Sequence, residues 1–186
     1  MSSMFERYSS VLVNTIENTS WGHVETLAQE MYKVWRDGRQ LFICGNGGSA
    51  GNAIHLANDF LYGVASHVNK PGMRVEALAA NSAVLTCLAN DVGYEEIFAE
   101  QLRVKGKSGD LLIVLSGSGN SENVVRALTI ANEIGMITSA ILGYSGGRCL
   151  DLAKVPVHFL VEDMQISEDL QLIVGHMCMQ WIQKKI

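Results

Sequence analysis

Two short apolar runs, residues 41–44 (Leu-Phe-Ile-Cys) and 111–115 (Leu-Leu-Ile-Val-Leu), each end abruptly in glycine and serine and lead into a helix-length segment. A continuous apolar run of this kind is the signature of a strand covered on both faces. Weaker runs follow the same plan at 75–78, 139–142 and 155–160. Amphipathic segments of helical length lie between them at 49–62, 82–104 and 120–134, and a last one at 166–184. Strand–helix alternation predicts an α/β fold of three layers, a parallel sheet of about five strands flanked by helices.

The first forty residues read differently. Phe5, Tyr8, Val11, Leu12 and Ile16 recur at helical spacing, as do Val24, Leu27, Met31, Val34 and Trp35, and Asp37-Gly38 is a helix-stop signal. The expected organisation is one domain over 1–186, with two leading helices as an N-terminal extension (1–38) and an α/β core (39–186). Pro71 and Pro156 are the only prolines, which leaves little room for a linker. Hydrophobic residues make up 48% of the chain and charged residues 18%, the balance of a folded protein. A formal net charge of −5 argues against nucleic acid bound by a general basic surface. Cys44, Cys87, Cys149 and Cys178 are scattered with no Cys-x-x-Cys pair, which predicts free thiols in a reducing compartment. No basic, apolar leader opens the chain, and no apolar run approaches the ~20 residues of a membrane span. A cytoplasmic protein without membrane contact is expected.

The two loops carry the first functional signal. Cys44-Gly-Asn-Gly-Gly-Ser49 and Leu115-Ser-Gly-Ser-Gly-Asn-Ser121 each lie between a strand and a helix. Glycines let backbone approach a ligand, and the free N–H groups of the following helix favour an anion. The hydroxyls of Ser116, Ser118 and Ser121 can donate to phosphate oxygens. One such loop is equally a tight turn; two, with four serines between them, favour a phosphate cradle. The Gly-x-x-x-x-Gly-Lys-Ser/Thr pattern of nucleotide triphosphate sites is missing. Gly45-x-Gly47-x-x-Ala50 fits the loose dinucleotide pattern, yet that pattern places an acid ~20 residues on, whereas Glu76 stands 31 residues after Gly45. A small phosphorylated metabolite fits better.

A second signal is acidic and imidazole. His55 and Asp59 lie four apart on the helix that the first loop opens, and so share a face. Glu168 and His176 lie eight apart on the last helix, ~12 Å of rise. Two imidazoles and two carboxylates can hold zinc or a similar divalent ion. Spacing alone fits ordinary packed histidines and helix-face charges as well.

In combination, Gly45-Asn-Gly-Gly-Ser49, His55-x-x-x-Asp59, Ala89-Asn-Asp91, Ser116-Gly-Ser-Gly-Asn-Ser121 and Gly175-His176 resemble the phosphoheptose isomerases of the sugar-isomerase (SIS) superfamily. The resemblance runs over nearly the whole chain in order, the two leading helices included. It implies an SIS-type fold and a homotetramer with active sites at subunit interfaces. It implies conversion of sedoheptulose 7-phosphate to D-glycero-D-manno-heptose 7-phosphate, an early step toward the heptose of bacterial surface lipopolysaccharide. Asn46, Gly47, Gly48, Ser49, Asn90, Asp91, Ser116, Gly117, Ser118 and Ser121, with Asp59 and Glu168, fall on substrate-binding positions. His55, Asp59, Glu168 and His176 fall on positions for a divalent metal, zinc being expected, with Asp59 as catalytic base and His176 as its partner acid. An enediol mechanism needs such a base near the two carbons and a group that handles the hydroxyl protons.

The sequence departs from the family at several points. Asp59 and Glu168 replace a usual glutamate and glutamine, Gly117 a threonine, and Gly63 an arginine, and the stretch Met164-Gln-Ile-Ser-Glu-Asp-Leu-Gln171 differs from the usual pattern before the last histidine. Two readings of other classes share these loops: a non-catalytic SIS scaffold similar to the replication-initiator-associating protein, and a sugar-phosphate sensor. Neither needs a base and metal ligands together.

Overall fold

The computed structural model describes residues 3–186. Two helices lead, α1 (Met4–Glu17) and α2 (Gly22–Arg36). The strands are β1 (Gln40–Gly45), β2 (Arg74–Ala77), β3 (Leu111–Ser116), β4 (Ile137–Leu142) and β5 (Val155–His158). The remaining helices are α3 (Gly48–Asn58), α4 (Ser82–Asp91), α5 (Ala99–Lys105), α6 (Glu122–Ile134), α7 (Gly147–Leu152) and α8 (Met164–Gln183). All five strands pair in parallel, in the order β2-β1-β3-β4-β5. Successive strands are added on one side of β1 (β2) and then on the other (β3, β4, β5), so the winding reverses between β1 and β3, and the carboxyl ends of strands at such a switch point are where open α/β sheets bind ligands. The two glycine–serine loops leave the sheet there.

Every residue of β3 is buried, and alternate residues serve opposite faces. Leu41, Ile43, Leu111, Ile113 and Leu115 meet α2, α3 and α8 on one side. Phe42, Cys44, Leu112 and Val114 meet α5 and α6 on the other. This period-two division makes one sheet the floor of two cores. On the first face α2 buries Val24, Leu27, Ala28, Met31 and Val34. Outside it, α1 buries no residue, and Tyr8, Val11, Leu12 and Ile16 are only half-covered. A capping box starts α1: the Ser3 hydroxyl accepts from Glu6 N–H at 3.2 Å, and the Glu6 carboxylate from Ser3 N–H at 2.7 Å.

The helix expected over 82–104 is two. Gly93 at φ +115° turns the chain out of the helical region after α4, a short 3₁₀ turn follows at Tyr94–Glu96, and α5 starts afresh. Apolar residues continue across the break, so periodicity did not show it. The short α7 was not expected; six residues give no readable period. The run at 155–160 stops as a strand at His158. The 49–62 segment is helical throughout, but it widens into a π turn at Asp59–Gly63. All four cysteines are free thiols. Burial pushes Cys149 and Cys178 up to about 12 and Cys44 higher still. No helix among the described residues is long and apolar enough to cross a membrane.

Candidate functional site

The first loop places Gly47 at the N-cap of α3 with φ +55°, a conformation that suits glycine. Gly47 and Gly48 are exposed, while the N–H groups of Ala50 and Gly51 in the same turn are taken by the Asn46 and Gly47 carbonyls. Asn46 is held from two sides. Its amide forms a closed pair with that of Asn123 in α6, each Nδ2 donating to the other's Oδ1 at 2.8 Å. The Tyr94 hydroxyl donates to Asn46 Oδ1 at 3.0 Å. Asn123 is 2% exposed, so this joint between the two loops is shielded from water. Asn46 Oδ1 is thereby filled, and one Nδ2 proton remains for a ligand.

In the second loop Ser116 is buried and its Oγ accepts Gly119 N–H at 3.0 Å. The Ser118 Oγ accepts Asn120 N–H at 3.4 Å. Ser121 is the N-cap of α6, and its side chain makes no capping bond. Gly117 is covered by Met164: a Cβ built there would stand 2.6 Å from the thioether sulfur, so Met164 fills the space a side chain at 117 would take. Asn90 and Asp91 are exposed at the end of α4 and bond to each other at 2.7 Å, without a hydrogen bond to either loop.

The acid–histidine set converges in part. His55 Nε2 and His176 Nε2 are 3.2 Å apart, and Asp59 Oδ2 is 3.3 Å from each. Side-chain exposures of 50%, 46% and 23% for His55, His176 and Asp59 leave the triangle open to a ligand. Nitrogen and oxygen donors on zinc at 2.0–2.1 Å stand about 3.3 Å apart along a tetrahedron's edge. The three donor atoms therefore already fit one face of such a tetrahedron. Glu168 does not join them. Its carboxylate lies against Gly48, within 2.5 Å of where a Cβ there would be, at the N-terminal turn of α3. The positive end of that helix draws the acid away from the triangle, and the ~12 Å of helix between 168 and 176 keeps it there.

The two helices that carry the triangle are fastened together by polar bonds. Gln171, 1% exposed, donates to Ser49 Oγ at 3.0 Å. Asn52 Nδ2 donates to Gln171 Oε1 and to the Glu168 carbonyl, both at 3.0 Å. Asn123, Tyr94, Asn52 and Gln171 went unread in the sequence. Each belongs to the site through a partner 48 to 122 residues away, which no local pattern reveals. Gly63 packs on α8, where a Cβ would meet only the flexible tip of Met179, Cε at 2.7 Å.

Comparison with known proteins agrees with this geometry. The SIS domain model matches residues 4–143. The phosphoheptose isomerase of Chlorobaculum parvum is 35% identical over 179 residues, 95% of this chain and 85% of the relative. A phosphoheptose isomerase structure from Neisseria gonorrhoeae superposes with a TM-score of 0.86 at 26% identity, over 98% of this chain and 100% of the other. One from Francisella tularensis gives a TM-score of 0.88 at 23% identity over the same shares, a likeness of fold. With the loops, the histidine–aspartate triangle and relatives matched over nearly their full length, this chain belongs to the SIS-domain phosphoheptose isomerase family.

Proposed function

We propose that the chain is an aldose–ketose isomerase that converts sedoheptulose 7-phosphate to D-glycero-D-manno-heptose 7-phosphate, working in the cytoplasm as a homotetramer. The observation that carries this reading is the triangle of His55, Asp59 and His176 beside two phosphate-binding loops. Ser118, Ser121 and the N–H groups opening α6 hold the phosphate, with Ser116 and Gly117 shaping the loop. Asn46, Gly47, Gly48 and Ser49 form the wall facing the sugar, and Asn90 and Asp91 lie on the rim. Holding the unreactive end converts binding into orientation of the reacting carbons.

The residues of the triangle suit a divalent ion, zinc by the donor set of two imidazoles and a carboxylate. Bound there, the ion supplies positive charge that polarises the substrate's oxygens. Glu168 serves substrate binding in this arrangement, as a carboxylate over the first loop. It becomes a fourth ligand only on leaving Gly48.

Asp59 turns Oδ2 to the triangle and leaves Oδ1 with a single long contact, 3.4 Å from Asn58 Nδ2. That free oxygen takes the proton from the carbon beside the ketose carbonyl, and the electron pair forms the enediol double bond. His176, through the Nδ1 that the triangle leaves free, delivers a proton to the former carbonyl oxygen and accepts one from the neighbouring hydroxyl, which becomes the aldehyde. Asp59 returns its proton to the second carbon, so the substrate gains and loses the same atoms.

The test is turnover of sedoheptulose 7-phosphate followed by NMR, with and without zinc, alongside elemental analysis. His55→Ala and His176→Ala are expected to lose metal and turnover together, by at least a hundredfold in kcat/KM. A zinc-loaded wild type without metal, or turnover indifferent to chelators, overturns the metal assignment. No turnover of the heptulose phosphate overturns the substrate.

A further inference from the structure

At the opposite end of the sheet, where the strands begin, Arg39, Arg74, Lys105 and Lys107 line one cavity of about 470 Å³ with Glu76 and Asp110. Four cations face two anions in a protein whose net charge is −5. Both carboxylates are already engaged. Glu76 pairs with Lys105 at 2.5 Å. Asp110, 4% exposed, accepts the backbone N–H groups of Gln40 at 3.0 Å and Lys107 at 2.9 Å. Among the described residues Arg39, Arg74 and Lys107 have no carboxylate partner within 4.0 Å.

The two guanidinium groups are nonetheless fixed. Arg39 Nη1 donates to the Ser108 carbonyl at 2.7 Å, and its guanidinium lies over Gly109, where a Cβ would come within 3.2 Å of Cζ. Arg74 Nη1 donates to the Gly38 carbonyl at 3.1 Å. Anchorage on neutral carbonyls orients each fork and leaves its charge and most of its N–H groups unspent. Like charges gathered in a concave surface raise the local potential and draw an anion, and a planar fork suits phosphate oxygens. An adjoining cavity of about 480 Å³ shares Arg39 and Arg74 and adds Lys70 and Trp35. Lys70 Nζ stands 5.7 Å over the Trp35 ring, so it brings one more cation to that side, and a flat group would stack on Trp35 only by displacing the ammonium.

We propose that this cavity is a second anion site, for a small metabolite carrying two or more linked phosphates. It is separate from the catalytic loops, because β1, six residues long, stands between the two ends of the sheet, about 17 Å at strand rise. Free pyrophosphate and a nucleoside diphosphate share the recognised chemistry; the second would also reach Trp35.

Isothermal titration of the whole chain with pyrophosphate, and separately with ADP, tests this. The serine loop is itself a phosphate cradle, so two variants separate the ends. Wild type is expected to bind two pyrophosphates per chain. Arg39→Gln/Arg74→Gln should lose one of them, with at least a tenfold rise in Kd, and keep its isomerase turnover. Ser118→Ala/Ser121→Ala should keep the one that the arginine variant loses. Lys107→Gln removes a side chain that makes no hydrogen bond in the fold, so it should weaken the same site several-fold with no change in Tm. ADP binding tenfold tighter than pyrophosphate would identify a nucleoside-bearing ligand; equal affinities would identify the polyphosphate alone. If pyrophosphate binding vanishes in the serine variant and is unchanged in Arg39→Gln/Arg74→Gln and Lys107→Gln, the site does not exist.

Discussion

A methyl group added at Gly175 should disable the site while leaving the fold. Gly175 precedes His176 in α8 and faces Leu56, which follows His55 in α3. A Cβ at 175 would stand 2.3 Å from Leu56 Cδ2, 2.8 Å from Cδ1 and 3.1 Å from Cγ. Carbon atoms rest at about 3.5–4.0 Å, so the pair needs roughly 1.2 Å more room. Leu56 is 2% exposed within the core on that face of the sheet and has nowhere to turn. The strain therefore falls on the separation of α3 and α8, which carry the 3.2–3.3 Å triangle. Overpacking of this kind costs about 1–3 kcal/mol, and a shift of ~1 Å at a reacting group can cost ~100-fold in rate. Gly175→Ala is thus expected to lower Tm by a few degrees, yet to lose zinc at stoichiometric loading and about a hundredfold in kcat/KM. Leu56→Ala/Gly175→Ala returns the missing volume and should regain metal binding in part, despite a less stable core. The assays are elemental analysis after desalting, thermal unfolding and turnover on the same preparations. A Gly175→Ala protein that holds one zinc per chain and turns over within threefold of wild type would refute the reasoning. So would a double variant no better at binding metal than the single one.

Two further outcomes follow from the same structure. Asn123→Ala removes both amide bonds that orient Asn46, each worth about 0.5–1.5 kcal/mol net; it should raise KM by about tenfold while zinc content stays at wild-type level, and equal losses of zinc and turnover would contradict a role confined to the loop. Light scattering at micromolar concentration should return four times the 20.3 kDa chain mass, since α1 leaves Met4, Phe5 and Val13 exposed and Tyr8, Val11, Leu12 and Ile16 half-covered; a monomer mass would refute the tetramer.

The strands were legible because the sheet is covered on both faces, which forces continuous apolar runs such as 111–115. The loops were legible as strand-to-helix turns because their signature is local: glycine and serine directly after an apolar run and before a helix. His55 and Asp59 were readable as one pair from helical spacing and Glu168 and His176 as a second, and the resemblance set the two pairs on one site. What stayed hidden depended on contacts across the fold. Gly93 ends a helix by its φ, yet a lone glycine inside a segment of helical length does not by itself mark a stop. Glu168 shares a helix with His176, but the N-terminus of α3 claims its carboxylate, a competition that spacing does not express. Asn123 reads as one more polar residue at a helix start until the fold sets Asn46 against it. Its partner is 77 positions away.

The self-bonded serine loop has a consequence for binding. Ser116 and Ser118 have each committed a lone pair to the loop's own N–H groups, at 3.0 and 3.4 Å. Each hydroxyl keeps its proton and one lone pair. The loop's shape is set before anything arrives, so little ordering entropy is lost on binding. A visitor rich in acceptors, such as a phosphate, finds those protons already held in place. The donors are thus positioned by how the loop satisfies itself, without a single charged side chain in it.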